Sequence, residues 1–311
     1  MTKTEVEIYD VAIVGGGPAG LNAALVLARS RRLVLVIDEE MPRNHVTRES
    51  HGFLTRDGIT PSDFRRIAKE QILEYPSVRF QSGVVTSVIG SDGDFLLQLE
   101  SSEVTVRSRK LLFATGMKDA LPDIEGLSEV YGTSAFVCPF CDGWEWRDRQ
   151  ISVIAPNDSS MHYVKMISGW TKSLTLLTNA SLLTVEQRAE LSIHGITLVE
   201  ESIQRIESQQ GYVSRIAFNN GRFIECEGIF FVSTLVQSTK IPEIMGCNMS
   251  NNGPVMKVDT DSMGRTNVPG VYSAGDASGS PFQLISAASS GATAAAAIQL
   301  DLLDEEWNMV N

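Results

Sequence analysis

Cysteine is scarce in this chain, which has four cysteines among 311 residues. Four are too few for a disulfide-stabilised scaffold, so the close pair Cys138 and Cys141 is expected to be catalytic or metal-binding. The sequence also lacks a signal-peptide pattern and any apolar run long enough to cross a membrane. These absences predict a cytosolic protein with no membrane segment.

Positive charge is the second deficit. Lysine and arginine total 26 against 38 acidic residues, which leaves a formal net charge of −12 and a pI near 4.9. Nucleic acids and anionic membranes are polyanions that require a basic surface, so neither is an expected partner. With 43% hydrophobic residues, a chain of this length is expected to form about two globular domains.

A glycine-rich turn near the N-terminus joins a predicted strand to a predicted helix. The three segments are Val11–Val14, Gly15-Gly16-Gly17-Pro18-Ala19-Gly20 and Leu21–Ala28. This order is typical of a site that holds the pyrophosphate of a dinucleotide at a helix N-terminus. We expect Gly15 to make the turn, Gly17 to let a phosphate approach the backbone, and Gly20 to let the helix pack on the strand.

The next predicted strand, Leu33–Ile37, ends at Asp38. An acid about 20 residues after such a turn is positioned to hold a ribose hydroxyl. The dinucleotide implied by these two elements is either NAD or FAD.

The cysteine pair lies in the segment Cys138-Pro139-Phe140-Cys141-Asp142. Proline disfavours a helical conformation at Cys138 but suits the first helical position, so Cys138 is predicted to cap a helix with Cys141 one turn along. A helix N-terminus favours thiolate over thiol, which makes a reversible disulfide plausible. Asp142 is a candidate to carry the proton that a dithiol gains or loses.

Other interpretations of the pair remain open at this point. It could be half of a zinc site, but no second Cys-x-x-Cys occurs and the remaining cysteines and histidines lack ligand spacing, so no metal is expected. It could be two inert buried thiols, and Asp142-Gly143 could be only a turn. Cys226 and Cys247 are interpreted as buried bystanders.

Two later segments, Leu111–Gly116 and Gly270–Asp276, resemble the second and third FAD-binding segments of flavoproteins with two dinucleotide domains. The resemblance implies FAD as the cofactor, with Asp276 holding the ribityl chain. It places Gln283 beneath the flavin ring, at the start of a helix predicted from about Phe282 to Leu303. The residues assigned to FAD are then Gly15, Gly17, Pro18, Ala19, Gly20, Asp38, Thr115, Gly116, Gly275, Asp276 and Gln283.

The order of these motifs resembles the low-molecular-weight thioredoxin reductases across almost the whole chain. The resemblance implies an α/β fold of two Rossmann-like three-layer domains and a homodimer. An FAD domain of residues 1–118 and 243–311 would be split by an inserted NADPH-type domain of residues 119–242. It further implies that Cys141 exchanges electrons with the flavin, Cys138 with a dithiol or disulfide substrate, and that Asp142 donates and accepts protons.

The inserted domain departs from that family where NADPH would bind. After the strand Ile151–Ile154, the segment Ala155–Ser160 contains no glycine, so side chains occupy positions where a backbone must approach a pyrophosphate, and Asp158 adds negative charge. The next strand, Ser173–Leu177, is followed by Thr178-Asn179-Ala180 rather than by arginines. Conventional NADPH use is therefore not expected.

Two electron paths fit these residues. A dithiol substrate could reduce the pair, with oxygen as final acceptor as in dithiol oxidases, or a one-electron donor such as ferredoxin could reduce the flavin. The aromatic residues around the pair argue against thioredoxin as the partner. The alternatives are an NADPH-dependent thioredoxin reductase and a flavin-binding redox sensor without turnover.

Three further groups of residues receive simple interpretations. Trp144 and Trp146 are taken as core packing at the domain junction, and Arg65-Arg66 with Lys69 as a solvated helix face. His45 and His51 are candidates for proton transfer, although a solvated or structural role is the favoured interpretation.

Overall fold

The computed structural model describes residues 7–100, 105–156, 159–250, 255–279 and 281–309. Asn157 and Asp158 of the predicted NADPH-type loop lie outside these ranges. The strands are β1 (Ile8–Val14), β2 (Val34–Asp38), β3 (Val78–Ser82), β4 (Val85–Ser91), β5 (Asp94–Leu99), β6 (Thr105–Phe113), β7 (Met117–Ala120), β8 (Ala135–Phe136), β9 (Ile151–Ile154), β10 (Leu174–Leu177), β11 (Thr197–Val199), β12 (Ile203–Gln209), β13 (Tyr212–Phe218), β14 (Phe223–Glu225), β15 (Gly228–Phe231), β16 (Thr234–Gln237), β17 (Met249–Ser250), β18 (Lys257–Val258) and β19 (Val271–Ser273). The helices are α1 (Pro18–Arg29), α2 (Pro61–Leu73), α3 (Leu127–Val130), α4 (Pro139–Asp142), α5 (Ser159–Ile167), α6 (Val185–Ile193), α7 (Ile241–Ile244) and α8 (Leu284–Asn308).

The chain folds into two compact units. The first contains Met1–His45, Phe53–Lys118 and Leu235–Asn311, and the second contains Val46–Gly52 and Asp119–Thr234. The chain returns to the first unit at Leu235, whereas the family resemblance implied a boundary at about residue 243. The grouping of Val46–Gly52 with the second unit has no signal in the sequence, because it depends on contacts with residues distant along the chain.

The first unit is built on a seven-stranded sheet in the order β3-β2-β1-β6-β5-β4, with β19 also paired to β6. Strands β3, β2, β1, β6 and β19 run parallel, whereas β5 pairs antiparallel with β6, and β4 pairs antiparallel with β5. Apolar runs such as Val11–Val14 are buried because elements cover both faces of the parallel strands. Helices α1 and α8 pack together on one face, over a core rich in alanine.

The second unit contains a parallel five-stranded sheet in the order β11-β10-β9-β15-β8 and a three-stranded antiparallel sheet, β12-β13-β14. All four residues of β9 and all four of β15 are buried. Both units therefore have the α/β architecture with parallel sheets that the sequence predicted.

Helix α8 begins at Leu284 and ends at Asn308, whereas the sequence predicted about Phe282 to Leu303. Its last turns are held by ion pairs: Glu305 with the buried Lys110, and Glu306 with Arg32 and Arg109. These partners lie elsewhere in the chain, so the extension could not be read locally. Among the helices of the described residues, none is long and apolar enough to cross a membrane.

The interpretation of the tryptophans was correct for one residue only. Trp146 is buried, but Trp144 is 65% exposed, so its assignment to core packing was wrong. Cys226 and Cys247 are buried as expected, and burial raises the pKa of the Cys226 thiol to about 11. These two thiols pack as small apolar groups.

The contact of α1 with α8 provides a test of the fold. A Cβ atom on Gly291 would lie 2.0 Å from the Ala19 carbonyl oxygen, so Gly291→Ala must push the two helices apart. We expect the variant to lose about 1–3 kcal/mol of free energy of unfolding, measured by urea denaturation. The matched control is Ser289→Ala on the exposed side of α8, which should change it by less than about 0.5 kcal/mol. Equal stabilities of the two variants would contradict the close packing.

Candidate functional site

Three turns of the first unit meet at one edge of its sheet. The last residues of β1 and β19, Val14 and Ser273, both pair with Phe113 at the end of β6. Because parallel strands point the same way, the glycine turns that follow them lie side by side at the carboxyl edge of the sheet. This edge is where open α/β sheets bind their ligands.

The turn between β1 and α1 has no room for side chains on its inner side. Gly15 has a φ of +109°, and a Cβ on it would lie 2.3 Å from the Ala114 carbonyl oxygen. A Cβ on Gly20 would lie 1.9 Å from the Gly15 oxygen. At Gly17, in contrast, no described atom comes within 4 Å of an ideal Cβ, and this glycine caps α1 with Pro18 in its first turn. The helix N-terminus therefore faces open space in which a phosphate fits.

Asp38 lies beside this turn but is already bonded to the protein. Its Oδ1 accepts a hydrogen bond from the Gly16 amide at 2.9 Å, and its Oδ2 pairs with the Arg65 guanidinium. The interpretation of Arg65 as part of a solvated face was therefore wrong, because this side chain is only 15% exposed. Arg66 and Lys69 make ion pairs with Glu70 and Glu40 on the surface.

The third turn carries Asp276, whose carboxylate lies 3.8 Å from the guanidinium of Arg43. The Cζ atom of the Arg43 guanidinium is 5.8 Å from the centre of the Phe282 ring. Sequence reasoning missed Arg43, because no motif marks it and its pairing partner is distant along the chain. Gln283 is the exposed N-cap residue of α8.

Two buried polar atoms, one in the turn after β6 and one on α2, bear on whether a dinucleotide fits this edge of the sheet. The Thr115 Oγ1 and the Arg65 Nε are buried, and neither has a hydrogen-bond partner within the described part of the chain. Buried polar groups are nearly always satisfied, so each is available to a ligand with complementary groups. Together with the open space at Gly17, these atoms fit the phosphates and hydroxyls of a dinucleotide.

The cysteine pair lies in the second unit, directly after the short strand β8. Cys138 is the N-cap of α4 with extended backbone (φ −127°), and Pro139 occupies the first turn, as predicted. The Cys138 carbonyl accepts hydrogen bonds from the amides of Cys141 and Asp142, both at 3.1 Å. Both cysteines are half-buried, which differs from the full burial expected of inert thiols. Across the described residues, no group of histidine, cysteine and carboxylate side chains is arranged to hold a metal.

The segment before the pair is held by Tyr163 of α5. Its hydroxyl donates to the Val137 carbonyl at 2.7 Å and lies 3.2 Å from the Phe231 carbonyl. Burial raises the pKa of this tyrosine, so the hydroxyl stays protonated and can donate. Tyr163 thus fixes the residue next to Cys138, a contact that the sequence did not reveal.

The carboxyl of Asp142, near the cysteine pair, has a pKa shifted toward neutral pH. Burial, then the charge of Cys138, then that of Glu145, raise the pKa of its carboxyl from 3.8 to about 7. A carboxyl with this pKa is partly protonated at neutral pH and can both give and take a proton.

The two candidate histidines differ in their surroundings. His45 is exposed, and its Nδ1 lies 2.7 Å from the Pro42 carbonyl in its own loop. His51 is part of the second unit, and its Nε2 is 3.7 Å from carboxylate oxygens of both Glu49 and Glu145. Of the two, only His51 contacts a residue that acts on Asp142.

The end of β9 is closed by the protein itself. Ala155 is fully buried, its amide donates to the Leu177 carbonyl at 3.1 Å, and its carbonyl accepts the Ser160 hydroxyl. After β10, the Asn179 side chain accepts a hydrogen bond from the Ile203 amide at 2.8 Å. The backbone of Ala155 and the side-chain oxygen of Asn179 are therefore engaged within the same unit.

The raised pKa of Asp142 predicts an effect on stability. The folded protein keeps this proton up to about pH 7, whereas an unfolded chain loses it near pH 3.8, so stability falls as the pH rises between these values. Asp142→Asn cannot ionise, so we expect it to melt at a higher temperature than wild type at about pH 8, with no difference near pH 4. The control, Glu190→Gln on the exposed surface of α6, should follow wild type throughout. If Asp142→Asn also melted like wild type at every pH, Asp142 would titrate like an ordinary carboxyl.

Comparison with known proteins supports one family. The pattern of the pyridine nucleotide-disulphide oxidoreductases matches residues 9–292. A probable thioredoxin reductase of Arthroderma benhamiae is 30% identical over 86% of this chain and 74% of its own. The crystal structure of a putative thioredoxin reductase from Bacillus anthracis is 38% identical, covers 96% of this chain and 99% of its own, and has a TM-score of 0.91.

A second solved structure agrees. The oxidoreductase from Agrobacterium tumefaciens is 32% identical, with a TM-score of 0.89 over 96% of this chain and 99% of its own. The matched region includes both the glycine turns and the cysteine pair. The chain therefore belongs to the pyridine nucleotide-disulphide oxidoreductase family and is a thioredoxin reductase-like oxidoreductase.

Proposed function

We propose that this protein is an FAD-dependent oxidoreductase that interconverts a dithiol and a disulfide through Cys138 and Cys141. The observation that carries the proposal is the carboxyl of Asp142, with a pKa near 7, next to two cysteines at the start of one helix. Dithiol oxidation releases protons as well as electrons, and this arrangement supplies a group for each.

The support for FAD comes from the carboxyl edge of the first unit. The open space at Gly17 suits the pyrophosphate, and the buried hydroxyl of Thr115 suits a ligand acceptor. Asp276 would hold the ribityl chain, and Gln283 with the N-terminus of α8 would lie by the flavin ring. When bound, FAD supplies a centre that takes up and releases two electrons. The full proposed set is Gly15, Gly17, Pro18, Ala19, Gly20, Asp38, Thr115, Gly116, Gly275, Asp276 and Gln283.

In the direction of dithiol oxidation, thiol–disulfide exchange between the substrate and the cysteine pair takes two steps. A substrate thiolate attacks the Sγ of Cys138, the Cys138–Cys141 bond breaks, and Cys141 leaves as a thiolate. The second substrate thiolate then attacks the substrate sulfur of this mixed disulfide. The substrate leaves as a disulfide, and Cys138 leaves as a thiolate. Asp142 accepts one of the two protons released, and the other passes to solvent. Bound FAD would supply the two-electron acceptor that allows Cys138 and Cys141 to re-form their disulfide.

We propose that the flavin does not exchange electrons with NADPH. The support is the absence of glycine from residues 155–160, because side chains or a proline then stand where a backbone must approach a pyrophosphate. In addition, the Ala155 carbonyl already accepts the Ser160 hydroxyl. Oxygen as acceptor, or a one-electron donor such as ferredoxin, fits these residues. The substrate is then a small dithiol or a thioredoxin-like protein. A homodimer in the cytosol completes the proposal, by resemblance to the family.

A second candidate is an NADPH-dependent thioredoxin reductase, which the names of the similar proteins favour. A third, a flavin-binding redox sensor, requires that the cysteine pair react without turnover. Multiple turnover with a dithiol plus oxygen, or with reduced ferredoxin plus a disulfide, separates an enzyme from a sensor.

Electron uptake tests the coupling of the cysteine pair to the flavin. Anaerobic dithionite titration of wild type should consume about four electrons per flavin, because the disulfide and the flavin each take two. The double variant Cys138→Ser Cys141→Ser should take up about two. The control Cys226→Ala removes a buried thiol and should keep the wild-type value. An uptake of two electrons by wild type would refute the proposal.

The choice of reductant tests the outer path. In anaerobic stopped-flow, we expect a dithiol to bleach the flavin rapidly and NADPH to do so slowly or not at all, because residues 155–160 contain no glycine that would let a pyrophosphate approach the backbone. Reduced ferredoxin is the third arm of the comparison. Rapid bleaching by micromolar NADPH would overturn the interpretation of residues 155–160 and favour the second candidate.

A further inference from the structure

Phe140 is an apolar side chain in an unusual place. It lies between the two cysteines on α4, and 65% of it is exposed. A large exposed aromatic residue next to reactive groups is a common feature of binding surfaces, since its apolar face gains free energy when a ligand covers it.

The Phe140 ring is held in place by Trp170. The two rings meet edge to face, with centroids 5.4 Å apart and planes at 88°. Trp170 itself packs against α4, because a Cβ on Gly143 would lie 2.9 Å from two of its ring carbons. Its backbone is fixed by a hydrogen bond from the Asp148 amide to the Trp170 carbonyl at 3.1 Å. The ring beside Cys138 is therefore ordered before any ligand arrives, which lowers the entropic cost of binding.

Trp144, the other exposed aromatic residue near the pair, has the same exposed fraction of 65%. One face of its ring carries a cation, because the Arg147 guanidinium lies 4.0 Å from the ring centre and its Nη1 donates to the Trp144 carbonyl. Phe140 differs in its position between the two cysteines and in its edge-to-face contact with an aromatic partner.

The charges nearby narrow the ligand further. Asp142 and Glu145 place two carboxyl groups close to the pair, so an anionic substrate would be repelled. A substrate that has no negative charge and carries a flat apolar group matches both the ring and these charges.

Resting on the proposed function, we propose that Phe140, positioned by Trp170, selects small dithiols or disulfides that carry no negative charge and whose sulfurs are attached next to a flat ring. The substrate ring packs on Phe140 while one of its sulfurs reaches Cys138. Phe140 is then a residue that determines specificity, and Trp170 is a positioning residue.

The test compares two dithiols as anaerobic reductants of the flavin, ortho-xylylenedithiol with a ring and dithiothreitol without one. For Phe140→Leu, the second-order rate constant for the aromatic dithiol should fall about three- to tenfold, the range expected for loss of one ring contact. The constant for dithiothreitol should change by less than about twofold. Phe140→Tyr should retain the wild-type preference, and Trp170→Leu should weaken it. The matched control is Phe223→Leu, an exposed phenylalanine on β14, which should alter neither constant.

Each other outcome has a defined meaning. An equal fall for both dithiols would overturn the inference, because Phe140 would then act on the cysteine geometry rather than on the substrate. An unchanged ratio in Phe140→Leu would overturn it as well, while leaving the proposed function intact. If dithionite reduces the flavin but neither dithiol does, the proposed function fails and the inference fails with it.

Discussion

A close backbone contact constrains the first unit. The inner sides of Gly15 and Gly20 are so near to the Ala114 and Gly15 carbonyl oxygens that no side chain fits. Because of this contact, α1 starts directly at the end of β1, at the same edge where β6 and β19 end. The proposed dinucleotide site depends on it, since three turns can surround one ligand only when backbone approaches backbone.

The proton transfer proposed for the second unit depends on the burial of a carboxyl group. Placing Asp142 in a partly apolar environment beside a cysteine raises its pKa to about 7, which opposes stability at neutral pH but suits proton transfer. The same short helix carries both cysteines and the ring of Phe140. Reactivity and selectivity are thus proposed to lie within one turn of helix. Tyr163 holds the residue before Cys138 by a hydrogen bond, and Trp170 contacts the Phe140 ring.

Much of this was predictable because the signals are local. Proline at position 139 determines where α4 starts, and glycine at position 15 permits a positive φ, whatever the rest of the chain does. Interpretations based on composition were less secure. Arg65 looked like a surface charge and pairs with Asp38, while Trp144 looked like core and is exposed. Each error concerns a side chain whose environment is made by residues far along the chain.

The sequence by itself indicated the α/β fold and the candidate residues of both sites, through its motifs and their resemblance to a known family. It also predicted the starts of α1 and α4, since these follow from steric rules that act over a few neighbouring residues. Only the tertiary structure decided which partners those residues meet. The pairing of Arg43 with Asp276, the pKa of Asp142, the closure of Ala155 by Ser160 and the seating of Phe140 on Trp170 are such cases. Burial and ion pairing depend on distances in space, and these exist only once the strands and helices have packed.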